Sequence, residues 1–292
     1  MIYKVPEEYD IVISYSWYKV THGKISGHSF EVLDYYLFLS KFYKVAIFLG
    51  DGTSKEELLN LARDKYSILP AEEDILVAEG VKILQAPHQT VIITDGSASM
   101  LFSMGGFIFC KNLIIFRCGK IDSFDSLKNR DNVYLLQDNR VYTDKPLLNT
   151  IDYKKKLLFS ALKPKTSPGT SAFLYLTQNC RRYDIEEVKS AYGFDSYITC
   201  TDKPIPNLIN QINAYIYTPV FCPGASISSI SRMDCSPRLI AECAYYNIPV
   251  HYYKIDYEDA GLNARKYDIE NDFGSLELTS SDYLLTLIKE LA

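Results

Sequence analysis

The chain has 292 residues, enough for one large domain or two of ordinary size. Its composition, 47% hydrophobic and 23% charged, is that of a packed globular protein and excludes a disordered one. The formal net charge of −5 is shared between the two halves, so neither is a basic module and bulk charge does not point to nucleic acid.

Seven cysteines occur in an odd, dispersed set without a CxxC pair, the pattern of reduced thiols in a cytosolic protein. His22, His28, His88 and His251 do not cluster with them, and no bound metal or tight cofactor is expected. No apolar run reaches the length of a membrane span, and the opening MIYKVPEEYD lacks the apolar core of a signal peptide. The expected location is therefore cytoplasmic, in the host if the protein is viral, with no membrane partner.

Tyr9–Tyr15 (YDIVISY) reads as a buried strand. A loop bearing Gly23 and Gly27 follows. Next comes an amphipathic helix from about Ser29 to Phe42, with Val32, Leu33, Tyr36, Leu37 and Leu39 on one face. Tyr43–Leu49 is a second strand, completing a βαβ unit. A helix over Lys55–Tyr66 is opened by Thr53 or Ser54, and a variable region runs to about Gln89. Thr90–Thr94, Leu113–Phe116 and Val133–Leu136 are further strands. Strands alternating with other segments argue for a mostly parallel sheet. The basic run Lys154–Lys156 reads as a solvated helix face.

LKPKTSPGTS, Leu162–Ser171, is the best linker in the chain. Beyond it a second α/β pattern begins: strand Ala172–Thr177, helix Asp184–Ala191, strand Tyr197–Cys200, helix Leu208–Asn213 and strand Ala214–Val220. After a long loop comes a helix with Ser236 as N-cap and Pro237 in its first turn. Leu239, Ile240 and Cys243 give it an apolar face, Asn247 stops it, and Pro249-Val250 opens a strand. A last helix covers Ser281–Leu291. The expected domains are 1–163, 164–274 and a terminal helix, 275–292, that packs back on the first.

Ligands of open α/β sheets bind beyond the carboxyl ends of the strands, which singles out four loops. Gly27-His28 opens a helix after the first strand, a setting suited to a phosphate or oxyanion, or else an ordinary turn. Asp95 ends an apolar strand, where a carboxylate serves as a general base or as a turn former. Arg181 and Arg182 follow the first strand of the second half and suit a diphosphate; surface charges are the alternative. Arg232, Asp234, Arg238 and Glu242 form the last group, with Ser236 at the helix start as a further binding candidate. Arg238 has a helix start behind it for an anion, and Glu242 can accept hydroxyl hydrogen bonds from a ribose. An exposed Arg238–Glu242 pair, one turn apart, is the other reading.

Glu242…Pro249-Val250 resembles the E-x-x-x-x-x-x-x-P-V pattern of GT-B nucleotide-sugar glycosyltransferases. The wording SPRLIAEC, the size and the Tyr-rich composition are similar to bacteriophage enzymes that glycosylate hydroxymethylcytosine in DNA. The resemblance implies two Rossmann-like domains facing across a cleft, an acceptor half and a donor half, with the C-terminal helix returning to the first. It implies a nucleoside diphosphate sugar, UDP-linked, as donor substrate. Glu242 would bind its ribose, and Arg181, Arg182 and Arg238 its phosphates, without a catalytic metal. Asp95, then His28, are the candidate bases. It implies double-stranded DNA as partner, held on a local surface drawn from Lys19, Lys24, Lys111, Lys120, Lys128 and Arg130. A saccharide or small-molecule acceptor, and a non-catalytic nucleotide-sugar-binding protein, are the alternatives.

Overall fold

The computed structural model describes residues 1–14, 27–50, 54–93, 107–117, 130–137, 150–152, 161–175, 185–200, 205, 207–217, 238–252 and 279–291. The chain is α/β and forms two compact units. One is Met1–Lys163 together with Glu277–Ala292, and the other is Pro164–Leu276. Every described strand pairing in the two sheets is parallel, a Rossmann-like arrangement. Among the described residues no helix is long and apolar enough to cross a membrane.

In the first unit the strands are β1 (Ile2–Lys4), β2 (Ile11–Ser14), β3 (Val45–Leu49), β4 (Ile75–Val77), β5 (Ile83–Ile93), β6 (Phe107–Arg117), β7 (Val133–Gln137) and β8 (Thr150–Asp152). Their order across the sheet is β4-β3-β2-β5-β6-β7-β8, and β1 lies against the first part of β5. β2 and β3 are buried at every position. That explains their apolar sequence, broken only by Ser14 at the end of β2, since both sheet faces are covered.

Helix α1 (Gly27–Leu39) packs on β2 and β3. It corrects the expectation of a one-faced amphipathic helix from Ser29 to Phe42, because every residue from Glu31 to Leu39 is buried. A helix covered on all sides keeps an apolar surface all round. Its Tyr35 ring lies 4.9 Å from that of Phe116 on β6. Helix α2 (Lys55–Lys65) begins at Ser54, not Thr53, in a reciprocal capping box with Glu57.

The segment read as variable up to Gln89 contains β4 and the first half of β5. The strands read as Thr90–Thr94 and Leu113–Phe116 are parts of eleven-residue strands. β5 pairs with β1 through Ile83–Gln85 and with β2 from Thr90 onward, and its register with β6 shifts between Ala86 and Thr90. Pro87 sits in that irregularity, where a missing N–H costs no ladder bond.

In the second unit β9 (Ser171–Tyr175), β10 (Tyr197–Cys200), β11 (Ile212–Tyr217) and β12 (Val250–Tyr252) lie in the order β10-β9-β11-β12. Helix α3 (Ile185–Tyr192) buries Val188 against Ala172, Leu174, Ala214 and Ile216. The helix expected over Leu208–Asn213 is a single turn, α4 (Leu208–Gln211). Ile212 already pairs with Ser171, so the strand starts earlier than expected. Helix α5 (Arg238–Tyr245) leads to β12.

Helix α6 (Thr279–Leu291) belongs to the first unit. It buries Leu284, Leu287 and Ile288, and the side-chain amide of Asn112 on β6 donates to the Leu291 carbonyl at 3.0 Å.

Candidate functional site

Among the described strands, each unit has one place where the strand order reverses direction. In the first it lies between β2 and β5, whose last residues Ser14 and Ile93 are partners in register. In the second it lies between β9 and β11, where Leu174 pairs with Ile216. At such a point neighbouring connections leave the sheet in opposite directions and open a crevice beyond the carboxyl ends. The sequence candidates follow, in the chain, the strands that flank these two places.

In the second unit the chain leaves β9 toward Arg181 and Arg182, and leaves β11 toward Arg232 and Ser236. These four residues lie outside the described ones, but the strands that launch their segments are adjacent. Arg238 opens α5. Glu242, one turn on, is 1% exposed and Cys243 is fully buried. The solvent-exposed reading of Glu242 is thereby corrected: the carboxylate belongs to the interior. A carboxylate is stable there only with polar or charged company.

The carboxyl end of α5 is fixed by its stop signal. Asn247 has φ 54°, the left-handed conformation. The Ile248 N–H donates to the Cys243 carbonyl at 2.7 Å, and the Asn247 N–H to that of Ala244 at 3.1 Å. This is a Schellman cap, which satisfies the last carbonyls of the helix. Pro249 then accepts from the Tyr215 N–H at 3.0 Å, seating β12 beside β11. Glu242 thus stands on a helix held at its far end by a cap and a sheet.

No family model, curated protein or solved structure matches the chain.

In the first unit Gly27 and His28 are the first two residues of α1, reached from β2. Asp95 lies outside the described residues, two positions beyond the end of β5. Gly27-His28 and Asp95 thus follow two strands, β2 and β5, that are adjacent and parallel. Sequence reasoning passed over Glu31 and Asp34, which are 2% and 1% exposed on α1. Asp34 accepts a 2.6 Å hydrogen bond from the Tyr66 hydroxyl and so ties α1 to the end of α2. Glu31 is three residues nearer the helix start. The available signal was two acids interrupting an otherwise apolar helix.

Of the basic residues considered for DNA, Lys111 is exposed on β6. Arg130 instead donates from Nη2 to the Ile108 carbonyl at 3.1 Å, so part of its guanidinium serves the edge of β6. Lys19, Lys24, Lys120 and Lys128 lie outside the described residues. Among the described residues no group of three or more His, Cys, Asp or Glu side chains is placed to hold a metal ion.

Proposed function

We propose that the chain moves a sugar from a UDP-linked donor to a hydroxyl, and that the hydroxyl belongs to a hydroxymethylated base in DNA. In this reading the two units are the halves of a GT-B type enzyme, the second holding the donor and the first presenting the acceptor. The observation that carries the reading is the burial of Glu242 one turn into α5, the helix between β11 and β12 of a four-stranded parallel sheet. A fixed carboxylate at such a place suits the two hydroxyls of a ribose.

The bond from the anomeric carbon to the diphosphate oxygen breaks, and a bond from that carbon to the acceptor oxygen forms. Arg181, Arg182 and Arg238 stabilise the negative charge gathering on the departing diphosphate. If the anomeric centre inverts, Asp95 takes the acceptor proton, with His28 as second choice. A base within a duplex is first turned out of the stack.

A thermal-shift series with UDP and UDP-sugars tests the donor assignment, since a ligand of the native state raises its melting temperature by mass action. Glu242→Gln is expected to weaken donor binding about ten- to a hundredfold, the effect of losing hydrogen bonds to a charged group. Absence of stabilisation by any nucleotide or nucleotide sugar overturns the reading. Transfer of labelled sugar to saccharides but not to hydroxymethylated DNA overturns the acceptor part alone.

A further inference from the structure

The amino-terminal part of the first sheet presents a face that belongs to neither switch point. Parallel register sets Ile2, Ile83 and Phe107 side by side, then Lys4, Gln85 and Phe109, with Lys111 next on β6. Successive residues of a strand point to opposite faces. Tyr3, Leu84 and Ile108 pack in the core, so these rows point outward. Phe107 and Phe109 are 54% and 55% exposed, Ile2 is 54% exposed, and Lys4 and Lys111 are exposed. The two phenyl rings lie 6.5 Å apart with planes 32° apart. Neither row contains a carboxylate, although the chain carries a net charge of −5.

Beyond this face the edge of β6 is already occupied. Asn132 Nδ2 donates to the carbonyls of Cys110 and Lys111, and Arg130 to that of Ile108. An added strand would have to displace them, which leaves the flat face as the surface on offer.

We propose that this face is a stacking platform for a single-stranded stretch of nucleic acid. Phe107 and Phe109 each receive a base, Lys4 and Lys111 meet the flanking phosphates, and the Gln85 amide lies between them within the same rows. The ring spacing of 6.5 Å is about twice the 3.4 Å rise per nucleotide of a duplex strand, so it fits bases already drawn apart. Aromatic side chains on a sheet reach base faces only where the bases are unpaired. A second copy of the chain fits the face less well. Two-fold pairing of one patch with itself would bring lysines toward lysines, and the cores of protein interfaces are depleted in lysine. The proposal goes beyond sugar transfer and stands without it.

Fluorescence anisotropy on the full chain tests it, with a labelled oligodeoxythymidylate alone and annealed to its complement. The single strand should bind more tightly than the duplex. Phe107→Ala and Phe109→Ala should each weaken it by about fivefold or more. Lys4→Gln and Lys111→Gln should each reduce the slope of log affinity against log salt by about 0.7. Phe107→Leu and Phe109→Leu keep apolar bulk without a π face; they should lose affinity too, and they serve if the alanine variants fold poorly. Absence of binding, or unchanged binding by the leucine variants, overturns the proposal. So does a shift in oligomeric state of the phenylalanine variants at unaltered oligonucleotide affinity, which would assign the face to a second copy.

Discussion

Asp74 lies where strands begin, at the opposite end of the sheet from the switch point. It is 6% exposed and accepts hydrogen bonds from Tyr36 Oη at 2.6 Å and Lys44 Nζ at 2.7 Å. Burial alone raises its carboxyl, but hydrogen bonds from Lys44 and Tyr36 and the attraction of Lys44 outweigh burial and hold it below the usual carboxylate range. Burial, and then the bond to Asp74, push the Tyr36 hydroxyl up. A depressed carboxyl stabilises the native state above its unfolded value, and that contribution is lost as pH falls through the folded one. Thermal unfolding followed against pH should therefore show a decline below about pH 4, shallower in Asp74→Asn. Tyr36→Phe should cost about 2 kcal/mol in chemical denaturation at neutral pH, as for a bond to a charged partner.

Two residue-scale tests address the proposed chemistry. Asp95→Asn should leave folding intact and depress turnover by about a hundredfold or more if Asp95 is the base. Of Arg181→Ala and Arg182→Ala, at least one should raise the donor concentration needed for half-maximal rate. Normal turnover in both would remove the diphosphate role. The chemical types of these residues and the strands launching them were legible in the sequence. The burial of Glu242 was not, because a helix of eight residues carries too few positions to tell a covered polar site from an open one.

At the scale of elements, short apolar runs such as β2 and β3 could be read directly, because both their faces are covered. β5 could not. Its Pro87, His88 and Gln89 break the pattern where the strand changes neighbour from β1 to β2, and no local signal marks one strand serving two partners. α1 was recognised as a helix but not as a covered one, since its apolar stripe fitted the ordinary amphipathic case. The two clearest local signals, the caps, were the most informative. Asn247→Val should destabilise the second unit by about 1–2 kcal/mol, because a β-branched side chain is strained in the left-handed conformation that Asn tolerates. Urea unfolding of that unit measures it, and under the proposed function donor affinity should fall with it because the cap holds α5. Ser54→Ala should cost about 1 kcal/mol in the first unit, the usual effect of removing an N-cap.

At the scale of the molecule, each end of the linker is fastened to its own unit. On one side Leu162 forms a bridge with Tyr66, the Lys163 N–H donates to the Lys65 carbonyl and the Lys163 ammonium to that of Arg63. On the other, Lys165 Nζ donates to the Ile212 carbonyl at 2.8 Å and the Thr170 N–H to that of Gln211 at 3.0 Å. Gly169, with φ 70°, passes so close to Ile212 that a Cβ there would lie 2.3 Å from its carbonyl oxygen. The proline and glycine content of this segment announced a boundary; which residues bind to which unit depends on contacts far along the chain.

Helix α6 gives the first unit a history as well as a shape. Residues 277–292 leave the ribosome only after all of the second unit, yet their Leu284, Leu287 and Ile288 are core residues of the first. Three such side chains are worth about 5–9 kcal/mol together, comparable with the whole stability of a typical domain. During synthesis the second unit is thus able to fold while the first still waits for its closing piece. A released chain ending at Leu276 should carry a folded second unit beside an unfinished, protease-sensitive first unit.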